Sequence, residues 1–462
     1  MLRARAHLAD VAELRPRCLM PLSRHPGRSC RLLLSVAVAA WIGACRAYSP
    51  PPDPELSYRA NDAVASRAIY WRALERLDLE RAHRVAPDEE HRGFIEALRL
   101  TLAGEMHQAE EGLRLASRSA TDSVLRQVAR TTLVSVLTYQ GDWDALNELA
   151  RADAAIAGAR PQDRAGVLAW SEVMRGTPPP RIPRLNSPHT GLMHLSPTGV
   201  PVVTVEINGC TKSFWLDTGS STTLVASDVA AACGVTPVVA DTLEMITTTG
   251  RVPARPAVVG TLRFAGVTAH DVPAAIISQQ ELQLNRLASF GSTAPVGIDG
   301  VVGFDFLRQF DVELDYGRSR VTLRPAGSLG GRPEERNFYW LGYPVVRMLD
   351  IHGKPTFFGL DTGADESFVT PGLMARLPPA FHTRERRHIA GFGGDTTEVV
   401  PIVAFLQLRI SRQYLFFTGL VVREQRRLLF LDVDGVLGAD VGGLGKVRFD
   451  MASGRLVVGD RP

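Results

Sequence analysis

PVVTVEINGCTKSFWLDTGSSTTLV, residues 201–225, has a second copy further along the chain: PVVRMLDIHGKPTFFGLDTGADESFV, residues 344–369. Each copy alternates β-branched and apolar residues up to a glycine turn, then runs through an apolar strand into Asp-Thr-Gly. Gly209 precedes Asp217 by eight residues, and Gly353 precedes Asp361 by eight. A hydroxyl residue follows each Asp six positions later, Thr223 in one copy and Ser367 in the other. Short β-branched runs punctuated by glycine read as strands and hairpins.

The duplication continues outward from these cores. Thr247-Thr248-Thr249-Gly250-Arg251 and Gly391-Phe392-Gly393-Gly394-Asp395 are glycine-bearing hairpin tips. Asp299-Gly300-Val301-Val302-Gly303 and Asp434-Gly435-Val436-Leu437-Gly438 are paired Asp-Gly-apolar-apolar-Gly elements. Hairpin patterns at Val312–Leu323 and Val447–Val458 close the two copies. A single Asp-Thr-Gly reads as an ordinary turn. Turn chemistry does not require the aligned elements downstream, so two copies call for another account.

On these motifs the region from about 196 to 460 resembles the aspartic peptidases, and more closely their retropepsin-like branch; Asp361-Thr362-Gly363-Ala364-Asp365 is similar to a retroviral active-site loop. The resemblance implies an all-β bilobal fold of two retropepsin-like barrels, with Asp217 and Asp361 as a catalytic pair. It implies that Thr218 and Thr362 hydrogen-bond across the interface of the lobes. It implies that Val301–Gly303 and Val436–Gly438 brace the loops, and that Thr249, Gly250, Gly393 and Gly394 belong to substrate-binding flaps. Gly219 and Gly363 let the chain turn tightly beside each Asp. Two carboxylates about 3 Å apart cannot both ionise, so the pair holds one proton and can serve as base and acid together. Neither flap candidate contains Tyr, unlike pepsin-like enzymes. Asp365 and Glu366 have no acidic counterpart in Ser221 and Thr222, so the two sides of the cleft are expected to differ.

Upstream the composition changes. Residues 58–176 are rich in Ala, Leu and Arg, and apolar residues recur at helical spacing, as in Phe94, Leu98, Leu102 and Val124, Val128, Leu137. Breaks at Gly104-Glu105 and Gly141-Asp142-Trp143 suggest helical hairpins resembling tetratricopeptide repeats, and a docking surface for a protein partner; a plain bundle and a spacer or pro-segment stand as alternatives. The expected organisation is multidomain. A Pro-rich linker at 177–195 precedes a first lobe at 196–326; a linker at 327–336 leads to a second lobe at 337–462.

The N-terminal segment carries the remaining signals. Residues 1–31 hold seven Arg against Asp10 and Glu13, a charge of +5, which leaves −2 on the rest of a chain whose net charge is +3. No basic footprint for nucleic acid survives that subtraction. The apolar run at 32–44 has 13 residues, short for a membrane span and suited to a signal peptide over 1–44, with Met20 an alternative start. Ile42-Gly43-Ala44-Cys45 resembles the bacterial lipobox, which implies lipidation of Cys45 and a Pro-rich tether over 45–57. By that resemblance the protein faces the periplasm, and Arg46 is compatible with outer-membrane sorting. In an oxidising compartment Cys210 and Cys233 could pair or stay free thiols. The eleven His show no metal-ligand spacing, and neither metal nor organic cofactor is expected. The function expected is peptide-bond hydrolysis on a peptide or protein substrate. The alternative is a non-catalytic, lipid-anchored peptide-binding protein on the same fold.

Overall fold

Seven helices precede the β-rich part of the described chain: α1 Ala63–Glu75, α2 Leu79–Arg84, α3 Glu89–Ala103, α4 Met106–Ser119, α5 Ser123–Gln140, α6 Trp143–Ala154 and α7 Pro161–Met174. Their ends follow from local chemistry. The Asp88 carboxylate accepts from the His91 N–H at the start of α3, and Asp122 accepts from the Val124 and Leu125 N–H groups at the start of α5. Gly104 (φ 83°) and Gly141 (φ 73°) stop α3 and α5 in the left-handed conformation that favours glycine. Successive helices pack through Phe94, Leu98, Leu113, Leu133 and Leu137, all fully buried. Val124, assigned to the apolar face by spacing, is exposed; its neighbour Leu125 is buried instead.

The computed structural model describes residues 7–9, 63–154, 161–246, 251–284, 296–391, 394–425 and 429–459. The expected leader, Cys45 and the tether lie outside the described residues, except for His7–Ala9, a short strand antiparallel to Tyr414–Phe416.

After the helices the chain is β-rich. Among the described residues the strands form a twelve-stranded sheet, a nine-stranded sheet and a two-stranded ribbon of Gln283–Leu284 with Val296–Gly297. In the first copy Pro201–Ile207 and Cys210–Leu216 pair around Asn208-Gly209, both at positive φ, the two-residue hairpin geometry that matches strand twist. In the second copy Pro344–Leu349 pairs with Pro355–Leu360. The Asp-Gly-apolar-apolar-Gly elements form the strands Gly300–Val302 and Gly435–Leu437. Each runs parallel to the strand leading into its Asp and antiparallel to the short strand after it.

Two boundaries differ from expectation. The linker assigned to 177–195 ends early: His189–Leu195 is a strand, paired with Arg320–Arg324 on one side and Pro201–Ile207 on the other. Nor does 337–462 keep to its own sheet. The C-terminal hairpin, Lys446–Asp450 with Arg455–Val458, joins the sheet of the first copy, where Lys446–Asp450 lies antiparallel to Asp311–Asp315. The register places Leu314 opposite Val447 and Val312 opposite Phe449, four side chains that are buried together. Two hairpins with the same apolar alternation present matching edges, and pairing edge to edge satisfies backbone groups that would otherwise face solvent.

The helical region is docked on both copies. Trp340 stacks on Phe304, with ring centroids 5.5 Å apart, and its indole N–H donates to the Ser135 carbonyl at 3.2 Å. Tyr139 packs against Trp340 and lies beneath the Arg308 guanidinium. On the second copy, Arg76 donates to Asp434 at 2.8 Å and pairs with Asp432, while Phe94 meets Phe430 edge to face.

Candidate active site

Each Asp-Thr-Gly loop leaves a buried strand and turns back over its own carboxylate. The Asp217 Oδ1 accepts from the N–H groups of Gly219 (2.7 Å) and Ser220 (3.2 Å). The Asp361 Oδ1 accepts from Gly363 (3.1 Å) and Ala364 (2.9 Å). Behind each Asp, the backbone N–H donates to the end of the parallel strand: Asp217 to the Val302 carbonyl and Asp361 to the Leu437 carbonyl.

The two loops meet through their threonines. The Thr218 hydroxyl donates to the Leu360 carbonyl (2.8 Å) and accepts from the Thr362 N–H (3.0 Å). The Thr362 hydroxyl does the reverse, donating to Leu216 (2.7 Å) and accepting from the Thr218 N–H (3.1 Å). Both threonines are buried, so these four bonds form away from competing water. The loops approach so closely that a side chain on Gly219 would put its Cβ 2.5 Å from the Asp361 carboxyl carbon; one on Gly363 would meet Asp217 closer still. Glycine is required there by the opposing carboxylate, in addition to the turn.

The two carboxyl groups face each other, each set against the glycine of the opposite loop, and each feels the other's charge state. Burial, then the charge of Asp361, holds the Asp217 carboxyl well above the usual carboxylate range. Asp361 is also raised by burial, against the opposing pull of Asp217, Tyr343, Ala364 and Gly363. One proton is therefore retained between them where isolated carboxyls would have lost both.

Three residues of the site escaped the sequence reading. Asp305 accepts from the Thr223 N–H and hydroxyl, at 3.2 and 3.1 Å. Asp440 accepts from the Ser367 N–H and hydroxyl, at 3.0 and 2.6 Å. These pairs close each loop from below, and burial pushes both acids up to about 6. Their signal was available, since each lies two residues past the last glycine of its Asp-Gly element, at Gly303 and Gly438. Tyr343, just before the second copy, acts on Asp361 and favours its ionised form, and it carries no motif.

Other expected residues fall as follows. Thr249, Gly250 and Gly393 lie outside the described residues, and Gly394 ends one arm of a hairpin. The arms that lead to both tips are antiparallel: Leu243–Ile246 with Arg251–Phe264, and His382–Gly391 with Gly394–Ile410. Asp365 and Glu366 are half-buried, with Glu366 in the field of Arg423. Cys210 and Cys233 are free thiols, and the Cys210 thiol donates to the Ala232 carbonyl at 3.7 Å. Among the described residues no group of three His, Cys, Asp or Glu side chains is arranged to hold a metal ion.

Residues 203–306 match the family model described as aspartyl protease, a span that includes Asp217-Thr218-Gly219 and runs through Asp305. The match supports an aspartic peptidase, and with it peptidase function in general. No curated protein matches the chain.

Proposed function

We propose that this protein is a two-lobed aspartic endopeptidase of the retropepsin-like type, cutting extended peptides in the periplasm while a lipid on Cys45 holds it to the membrane. The observation that carries the catalytic part is the meeting of two Asp-Thr-Gly loops, locked by reciprocal threonine bonds, with each carboxyl set against the glycine of the opposite loop. The hairpins ending near Ile246 and Gly391 support two flaps over a bound chain.

In this reading the ionised carboxyl takes a proton from a water molecule, and the water oxygen attacks the scissile carbonyl carbon. The protonated carboxyl gives its proton to the carbonyl oxygen. Collapse of the tetrahedral species breaks the C–N bond, and the amine leaves with a proton returned from the pair. The loops must not drift, because about 1 Å of misplacement is costly; the four threonine bonds supply that rigidity.

Asp217→Asn and Asp361→Asn are each expected to lower peptide cleavage by about 10²–10⁴-fold while the folded signal by circular dichroism is kept. Full cleavage by either folded variant would overturn the shared-carboxyl mechanism. The activity of the unaltered protein should be bell-shaped in pH, falling when both carboxyls are protonated and again when both are ionised.

A further inference from the structure

A cavity of about 790 Å³ opens between the helical region and the first Asp-Thr-Gly copy. Its helical wall carries Trp143 and Leu146 from α6 and Val167 and Trp170 from α7. The facing wall carries Leu243 and Met245, on the strand that leads to the first hairpin tip, together with Glu244, which Arg251 pairs with at 2.8 Å. Its floor is Ser221 and Thr222, four and five residues past Asp217 on the active loop. A narrower space of about 360 Å³ continues from the same Trp143, Trp170, Ser221 and Thr222 toward Asp305 and Arg308.

Both indoles are half-buried: they pack against the core on one side and leave apolar surface toward this space on the other. An extended peptide advances about 3.3 Å per residue with side chains alternating between faces. A chain lying across Asp217 and beneath the first hairpin would therefore send an outer side chain, away from the scissile bond, over Ser221 and Thr222. The wall it would meet is held in place. Thr138, which also lines the cavity, sits in the last turn of α5, where Ser135 accepts from Trp340 and Tyr139 is covered by Arg308.

We infer that the helical region completes the substrate cleft: Trp143 and Trp170 form, with Leu243 and Met245, a subsite for a bulky apolar side chain of the peptide, on the first copy's flank of the scissile bond. This rests on the peptidase reading above and assigns the helices a part in specificity. The cavity is lined by the helices and the first copy, with no residue of the second, so the preference belongs to that flank.

The test is a position-scanned peptide library, followed by two peptides that differ only in Phe against Ala at the outer position the library selects. For the unaltered protein, kcat/KM should favour Phe; Trp170→Ala should reduce that ratio about tenfold, and Trp143→Ala should act in the same direction. Ala169→Leu, which fills the cavity from α7, should also reduce it. A ratio between two peptides is insensitive to the fraction of folded enzyme, so partial unfolding does not blur the result. A library with no outer preference for large apolar residues, or a ratio unmoved by all three variants, would overturn the subsite while leaving the peptidase standing. Absence of cleavage of every peptide by the unaltered protein would overturn both.

Discussion

The first and second Asp-Thr-Gly copies share a skeleton and differ in what surrounds it. Matched are the threonine bonds, the parallel strands behind each Asp, and the hydroxyl–carboxyl pairs Thr223–Asp305 and Ser367–Asp440. Unmatched are the neighbours. Tyr343 favours the ionised form of Asp361, whereas the equivalent residue before the first copy is Val200, fully buried and without a side-chain donor. Asp305 faces Arg308, which pulls its carboxyl down against burial; Asp440 faces Glu366, which pushes it further up. Parts that must hold two loops together are duplicated faithfully, and parts that set the character of each carboxyl have diverged.

The strongest way to break that symmetry is at the threonines. Thr218→Ala and Thr362→Ala each remove a buried donor and acceptor and strand an N–H and a carbonyl of the opposite loop. Each is expected to cost about 1–3 kcal/mol of stability, measured by urea unfolding, and to lower kcat. Similar losses in both would fit reciprocal bonding; a large loss in one alone would not.

A smaller effect should separate stability from pH. Asp305 and Asp440 both stand near 6, raised by burial from an ordinary 3.8. The folded protein thus binds protons more readily than the unfolded chain. Their stabilising contribution is complete below about pH 4 and is lost as pH rises through about 6. Asp305→Asn and Asp440→Asn cannot ionise there, so each should flatten the fall in Tm between pH 4 and 6. An unchanged slope in both variants would count against buried, titrating acids beneath the loops.

The smallest expected effect sharpens the difference between the copies. The Tyr343 hydroxyl stabilises ionised Asp361, so Tyr343→Phe should raise the pKa of the pair on that side. The acid limb of the kcat/KM profile should then move to higher pH, with the alkaline limb less affected. Val200→Ala, at the equivalent place on the other side, should leave the limbs where they are.

Much of the site was legible because it is written locally and twice. An Asp-Thr-Gly turn, a glycine eight residues before it and a hydroxyl six after are short-range requirements of one loop. Asp305 and Asp440 were equally legible through their common offset, but each looks like an ordinary surface acid until Thr223 or Ser367 is placed above it. Tyr343 carries no such signature: its role depends on how close Asp361 comes, which no spacing encodes.

A helical segment followed by β-structure, the paired loops, their strands and their hairpins are all written in the amino-acid order, since each depends on hydrogen bonds and side-chain alternation between residues near in the chain. Long-range packing alone made the C-terminal hairpin complete the first copy's sheet, made His189–Leu195 a strand and no linker, and set α6 and α7 as the wall of a cavity over Ser221 and Thr222. Those outcomes depend on which exposed edge or apolar face finds a partner far away in the chain, from about fifty residues at the cavity to more than a hundred at the strand pairings. Many edges and faces share the same local pattern, and the partner is selected by the packing of the whole.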